Sequence, residues 1–304
     1  TAVTKKKMKR CKEDVVFDAA CFIILTLVLF VVAYPLYWVI ISSISAPSAV
    51  SSGKVLLHPI GFTLKGYAEV FKNDQVMRGF LNSLIITFCG VMVNLIVTLP
   101  TSYALSRSNF SGKKPITIFY LITMFFSGGL IPTYLVIQKL QMLNTIWALI
   151  LPGCLSVYNM IVARTFFKSN ISEELYEAAE IDGCTQARFF FQIALPLSKA
   201  IIAILVLYYG VGHWNSYFSA LVYISDKAKY PLQLVLRNIL ITNQTALSQT
   251  ATTAAARAAL QEKQQLIDVM KYSLIIISSI PVLVMYPLVQ KHFVKGVMIG
   301  SMKG

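Results

Sequence analysis

Six stretches of this chain run for about twenty residues or more with at most one Asp, Glu, Lys or Arg apiece, and that one lies near an end. They are Phe17 to Ile44, Phe80 to Ser106, Pro115 to Gln138, Ile146 to Phe167, Leu197 to Tyr223 and Val269 to Val289. A helix of such length crosses the hydrocarbon core of a bilayer. Lipid offers backbone N–H and C=O groups no partner, so each run must close its own hydrogen bonds. The rest of the composition agrees: 13% of the 304 residues are charged, against about 25% in a soluble protein. The predicted fold class is an all-α membrane protein with six transmembrane helices. Pro35, Pro100, Pro132, Pro152 and Pro281 fall inside the runs, as neighbouring helices in a membrane bundle permit.

Charge orients the bundle. The tail 1–16 is basic, with Lys5, Lys6, Lys7, Lys9, Arg10 and Lys12. Its apolar continuation (17–44) is too long for a signal-peptide core, so it reads as a retained first span. Arg107, Lys113 and Lys114 follow the second run, and Lys291, Lys295 and Lys303 follow the sixth. With six spans all three groups share a side, which the positive-inside rule makes cytoplasmic; both termini are expected there. The longer loops 45–79 and 224–268 then face outward. The net charge of +14 reads as inside-positive loops held against anionic lipid, not as a nucleic-acid surface.

Little in the chain suggests chemistry. The five cysteines form no CxxC pair and the three histidines are far apart, so neither a metal site nor a disulfide framework is expected. The "SSGK" at Ser51 to Lys54 lacks the earlier Gly of a phosphate-binding loop. Polar residues within the runs are Asn82, Thr87, Asn94, Asn159, His213 and Asn215, and no ionisable carboxylate or amine lies mid-span. An ion-coupled carrier needs such groups to bind its coupling ion, so energy for transport would come from outside this chain. No catalytic constellation is visible, and an enzyme is not expected.

One polar segment stands between the fourth and fifth runs: "EAAEIDGCTQARFFFQIALP", Glu177 to Pro196. Ser172 is placed to cap a helix whose first turns hold Glu173, Glu174 and Glu177, at the positive end of its dipole. Ala178 and Ala179 are small enough for another protein to approach closely. Asp182 and then Gly183 end it, Gly183 in left-handed geometry, where a charged β-carbon is expected to clash. A second helix follows, with Phe189, Phe190, Ile193 and Leu195 on an apolar face, and Pro196 is expected to start the fifth span. The segment 172–195 thus reads as helix, hinge and helix lying across the cytoplasmic ends of the spans.

The order EAA, Gly183, Ile193, Leu195, Pro196 resembles the EAA motif of inner-membrane permeases in binding-protein-dependent ABC importers. The resemblance implies that Glu177, Ala178, Ala179, Asp182 and Gly183 form a coupling helix that docks in a groove of the ATPase subunit. Lys199 departs from it, standing with Ala200 where many relatives place a proline. "FVKGVMIGSMKG", Phe293 to Gly304, is similar to the C-terminal tail of carbohydrate permeases of the MalG type, above all the LplC/YtcP-like group. It implies that Lys295, Gly296, Gly300 and Gly304 run towards the ATPase dimer. "TLPTSYALSR" (98–107) and "WNSYFSALVYISD" (214–226) fit the same group.

What the resemblance implies is a multi-pass subunit of the bacterial inner membrane with a MalG-like core over 80–292. It would form half of a heterodimeric path for oligosaccharides. Its partners would be a second homologous permease, a dimer of ABC ATPase subunits carrying ATP and Mg, an extracytoplasmic solute-binding protein and lipid, with no nucleic acid. A permease for another solute and a stand-alone carrier are the alternatives; the tail argues against the first and the charge-free spans against the second. Tyr158, Asn159, Trp214, Asn215 and Tyr217 are candidate path residues. Trp214, Asn215 and Tyr217, with Tyr223, read first as an interfacial aromatic belt and second as a sugar-stacking lining. The Ala/Thr/Gln-rich stretch 242–265 reads either as a connector without fixed structure or as an outer loop that orders against the binding protein.

Overall fold

The computed structural model describes residues 12–246 and 254–301, and among these every regular element is helical. The basic residues 1–11, residues 247–253 of the outer loop and residues 302–304 of the tail, with Lys303 and Gly304, lie outside the described residues. The described chain divides into two compact units: residues up to Val70 together with 249–276, and residues Phe71–Ser248 together with 277–304.

The first unit begins with α1, Lys12–Ser43, whose first turn holds Glu13 and Asp14. Its middle is apolar on every side and exposed, with Phe22 and Phe30 at 71% and 70%. A helix apolar all round is suited to lipid, not water. Its C-terminal end is tied down: the Trp38 indole N–H donates to the Val55 carbonyl at 2.8 Å, and the Tyr37 hydroxyl donates to that of Leu57 at 2.6 Å. There it meets the short helix α2, Pro47–Ser51, and α3, Lys65–Lys72. Ile41, Ala49, Val50, Val55 and Val269 form the unit's core, and Trp38 stands edge-on to Tyr272.

The second unit is organised around α4, Asp74–Ser106, a helix about 50 Å long. Asn73 caps it by accepting from the N–H groups of Gln75 and Val76. After it come α5, Lys113–Phe125, and α6, Leu130–Lys139; then α7, Trp147–Ile150, and α8, Val157–Asn170. Next is α9, Glu173–Ile181, followed by α10, Gln186–Phe189, a wide turn over Phe190–Ala194 and the single turn α11, Leu195–Leu197. Then come α12, Lys199–Trp214, α13, Tyr217–Tyr223, and α14, Leu232–Ala246. The last helix, α15, Ala254–Ser301, contributes residues to both units.

A stripe of small or polar residues along α4 lets its neighbours in, as is usual between membrane helices. Gly79, Ser83, Gly90, Asn94, Thr98 and Ser102 are all buried there. The Ser83 hydroxyl accepts the Leu232 N–H at the start of α14. The Thr98 and Tyr209 hydroxyls lie 2.7 Å apart, joining α4 to α12, and Ser102 donates to the Met160 carbonyl on α8. Asn94, 0% exposed, donates from Nδ2 to the carbonyls of Gly153 and Cys154, both at 2.9 Å. That leaves its Oδ1 facing His213 Nε2 at 2.6 Å, so the imidazole carries its proton on Nε2.

Three of the six expected spans are single long apolar helices, in α1, α4 and α15. The other three are broken. The run Pro115–Gln138 is α5 and α6, bent by 113° at Phe126–Gly129; the run Ile146–Phe167 bends by 53° between Gly153 and Val157. The fifth run bends by 80° at Ser198 and its helix ends at Trp214, so Pro196 precedes the break and α12 starts at Lys199. Each break needs partners for the freed backbone groups; Asn94 supplies them at Gly153 and Cys154. Asn94→Leu keeps the number of side-chain heavy atoms and removes the donors. It is expected to cost about 1–3 kcal/mol and to lower the unfolding temperature in detergent by several degrees, measured against the wild-type chain. The expected outer loop 224–268 also contains regular structure, α14 and the start of α15, and the expected tail 293–304 continues α15 as helix to Ser301.

Candidate functional site

The polar segment folds by local rules. Ser172 has extended backbone and its hydroxyl accepts the Leu175 N–H at 3.3 Å, while Glu173 and Glu174 occupy the first turn of α9. At the other end the Cys184 N–H reaches the Ala179 carbonyl at 2.9 Å and the Gly183 N–H reaches that of Glu180 at 3.0 Å. This crossed pair is a Schellman ending, which needs a left-handed residue at Gly183; its φ is +75°. A β-carbon at Gly183 meets nothing within 4 Å. The expected clash is therefore absent, and substitution there acts through backbone strain alone. Thr185 caps α10 by accepting the Arg188 N–H.

The segment is two-faced. Tyr176, Phe189 and Phe190 turn inward, 7%, 0% and 7% exposed, into a core with Tyr103 of α4, Phe167 of α8 and Leu205 of α12. The Tyr103 ring lies 5.0 Å from Phe190 and 5.7 Å from Phe167, and Tyr176 stands edge-on to Phe189 at 5.3 Å. Glu177, Ala178, Asp182 and Gly183 are exposed and Ala179 is half-buried. At the end of the exposed face Ile181 is 87% exposed. An arrangement of this kind, anchored by aromatics and bare on a small-residue face, is suited to carrying a movement from a docked protein into α4, α8 and α12.

The candidate path residues do not converge. Tyr158 and Tyr217 are exposed, at 56% and 46%, whereas Asn159 is buried. Trp214 is 2% exposed; its indole N–H donates to the Ser278 carbonyl at 2.9 Å and its ring stands edge-on to Phe80. The ring therefore has no free face within the chain. Asn215 is exposed and donates to the Val211 carbonyl. Of the tail residues, Lys295, Gly296 and Gly300 lie on the last turns of α15. By sequence Arg107 is a loop charge at the end of the 98–107 stretch; in the structure it joins α4 to α9. Its partner, Glu173, lies 66 positions on, a separation that no local pattern reveals.

Long apolar helices, three bent pairs and a capped polar helix with an exposed face define a multi-span membrane protein. No family model matches the chain. It is 36% identical over 288 residues to the polygalacturonan/rhamnogalacturonan transport system permease protein YtcP of Bacillus subtilis, covering 95% of this chain and 98% of that one. It is 38% identical over 297 residues to protein LplC of the same organism, covering 98% of each. Among solved structures it is similar to a bacterial ABC transporter involved in the import of the acidic polysaccharide alginate. The TM-score is 0.84 and the identity 27%, covering 94% of this chain and all of that one. The chain belongs to the family of ABC sugar-transport permeases.

Proposed function

We propose that this permease forms half of a heterodimeric path through the inner membrane, taking oligosaccharides from an extracytoplasmic binding protein. The observation that supports this most directly is α9, a capped helix with an inward aromatic anchor and an outward face of Glu177, Ala178 and Ile181. In this reading the face docks in an ATPase subunit on the cytoplasmic side, where both termini also lie. ATP with Mg stays on that partner, and its closure swings the spans between outward- and inward-open states. Lys295, Gly296 and Gly300 run towards the ATPase dimer. Tyr158, Asn215 and Tyr217, whose side chains are exposed, meet the sugar, and Asn159 and Trp214 hold the helices that carry them. Similar transporters are those for polygalacturonan/rhamnogalacturonan, galactooligosaccharides and alginate, so the substrate class is oligosaccharide, acidic or neutral.

The test is to purify the chain from its native membrane in mild detergent and identify what accompanies it. A P-loop ATPase, a second permease and a sugar-binding protein are expected. In liposomes, the binding protein loaded with an oligosaccharide from a panel of acidic and neutral chains should then stimulate ATP hydrolysis about tenfold or more. Recovery of the chain alone, or as a homo-oligomer without ATPase, would overturn the reading.

A further inference from the structure

The connection between α9 and α4 is not packed evenly. A cavity of about 330 Å³ opens beside it, walled by Tyr103, Ala104 and Arg107 at the end of α4, Phe110 of the following loop, Ala187 of α10 and, from α9, Tyr176. Aromatic contact alone therefore does not tie the two helices along this edge. The tie is polar and comes from Arg107, the residue that ends α4. Its Nη2 donates to Glu173 Oε2 at 2.6 Å, while the adjoining Ser108 backbone N–H donates to Glu173 Oε1 at 3.2 Å. The same guanidinium lies 4.0 Å from the centroid of the Tyr176 ring and 5.9 Å from that of Tyr103. The Arg107 side chain is 13% exposed. Around it, Lys113 Nζ donates to the Arg107 carbonyl and Arg164 Nε to that of Leu105, which holds the last turn of α4 in place.

The pair differs from the ion pairs Lys229–Asp226 and Lys271–Asp268, which are three residues apart and brace a single turn. Arg107 instead binds both the first residue of α9 and a ring on its inward face. Charge, direction and stacking together need guanidinium; an ammonium supplies no fixed fork.

From this geometry we infer that Arg107 is a positioning residue for coupling: it clamps α9 to the end of α4, so that a displacement of the docked helix moves α4 instead of opening the cavity beside it. This rests on the reading of α9 as the coupling helix. The clamp uses no residue of the exposed docking face, so docking and transmission separate by mutation.

The experiment uses the full complex of both permeases, ATPase and binding protein in liposomes. With Arg107→Ala the ATPase is expected to co-purify in wild-type amount, while hydrolysis stimulated by the loaded binding protein falls about tenfold relative to basal hydrolysis, the size of one charged hydrogen bond lost. Glu173→Gln keeps the shape and is the variant to read if Arg107→Ala does not accumulate; its stimulation is expected to fall about threefold. A wild-type ratio of stimulated to basal hydrolysis in Arg107→Ala, or in Glu173→Gln where that one is read, overturns the clamp. A merely structural role would lower yield and leave that ratio unchanged. Retention of ATPase by Ile181→Asp would instead count against the coupling-helix reading itself.

Discussion

Ile181→Asp is expected to leave the protein inserted in the membrane at normal yield and to lose both the ATPase and sugar uptake. Ile181 ends α9 at 87% exposure, so it supports no packing within its own chain. Covering such a side chain by a partner is worth about 1.5–3 kcal/mol. A carboxylate there would lose that gain and be left unpaired against the partner, for a combined penalty of roughly 3–6 kcal/mol. Each 1.4 kcal/mol is about tenfold in affinity, so the ATPase should no longer co-purify and uptake should fall at least tenfold. Normal uptake with normal ATPase recovery would show that the exposed face of α9 docks nothing. Substitution at Gly183 is expected to be milder. With open space around its β-carbon position, the cost is that of left-handed backbone, about 1–2 kcal/mol.

The second large effect lies inside the bundle. A β-carbon added at Gly90 falls 2.5–2.7 Å from three atoms of the His213 ring. That ring is not free to yield, because Nε2 is held by Asn94 Oδ1 at 2.6 Å and Asn94 in turn holds the carbonyls of the broken helix at Gly153 and Cys154. Gly90→Leu therefore adds overpacking of about 1–3 kcal/mol to a buried amide left partly unpaired, about 1–3 kcal/mol more. The folded protein is expected to be nearly lost from detergent extracts, with any remainder unfolding on the order of 10 °C lower. Gly212→Leu, on the same helix as His213 but with nothing within 4 Å, is the matched control and should be near wild type. Equal thermal stability of the two variants would refute the tight approach of α4 to α12.

The sequence by itself determined the helical class, the six apolar runs, the caps of the polar helix and the family. Each depends on residues close together in the chain. Apolarity is a property of a run, and Ser172 and Gly183 act on backbone groups only three to five positions away. The tertiary structure alone decided where spans break, which polar residues lie inside, and what clamps α9 to α4. Pro152 reads as tolerated inside the fourth run and Pro196 as the start of the fifth span, but where a break persists is set by another helix that satisfies the freed groups, as Asn94 does from 59 and 60 positions away. Trp214 stood between two exposed readings in the sequence. It is buried, and its N–H donates to the Ser278 carbonyl 64 positions on, a partner that no local pattern reveals. Arg107 carries the same lesson: a loop charge by pattern, it becomes a clamp only when folding brings Glu173 and Tyr176 to its guanidinium.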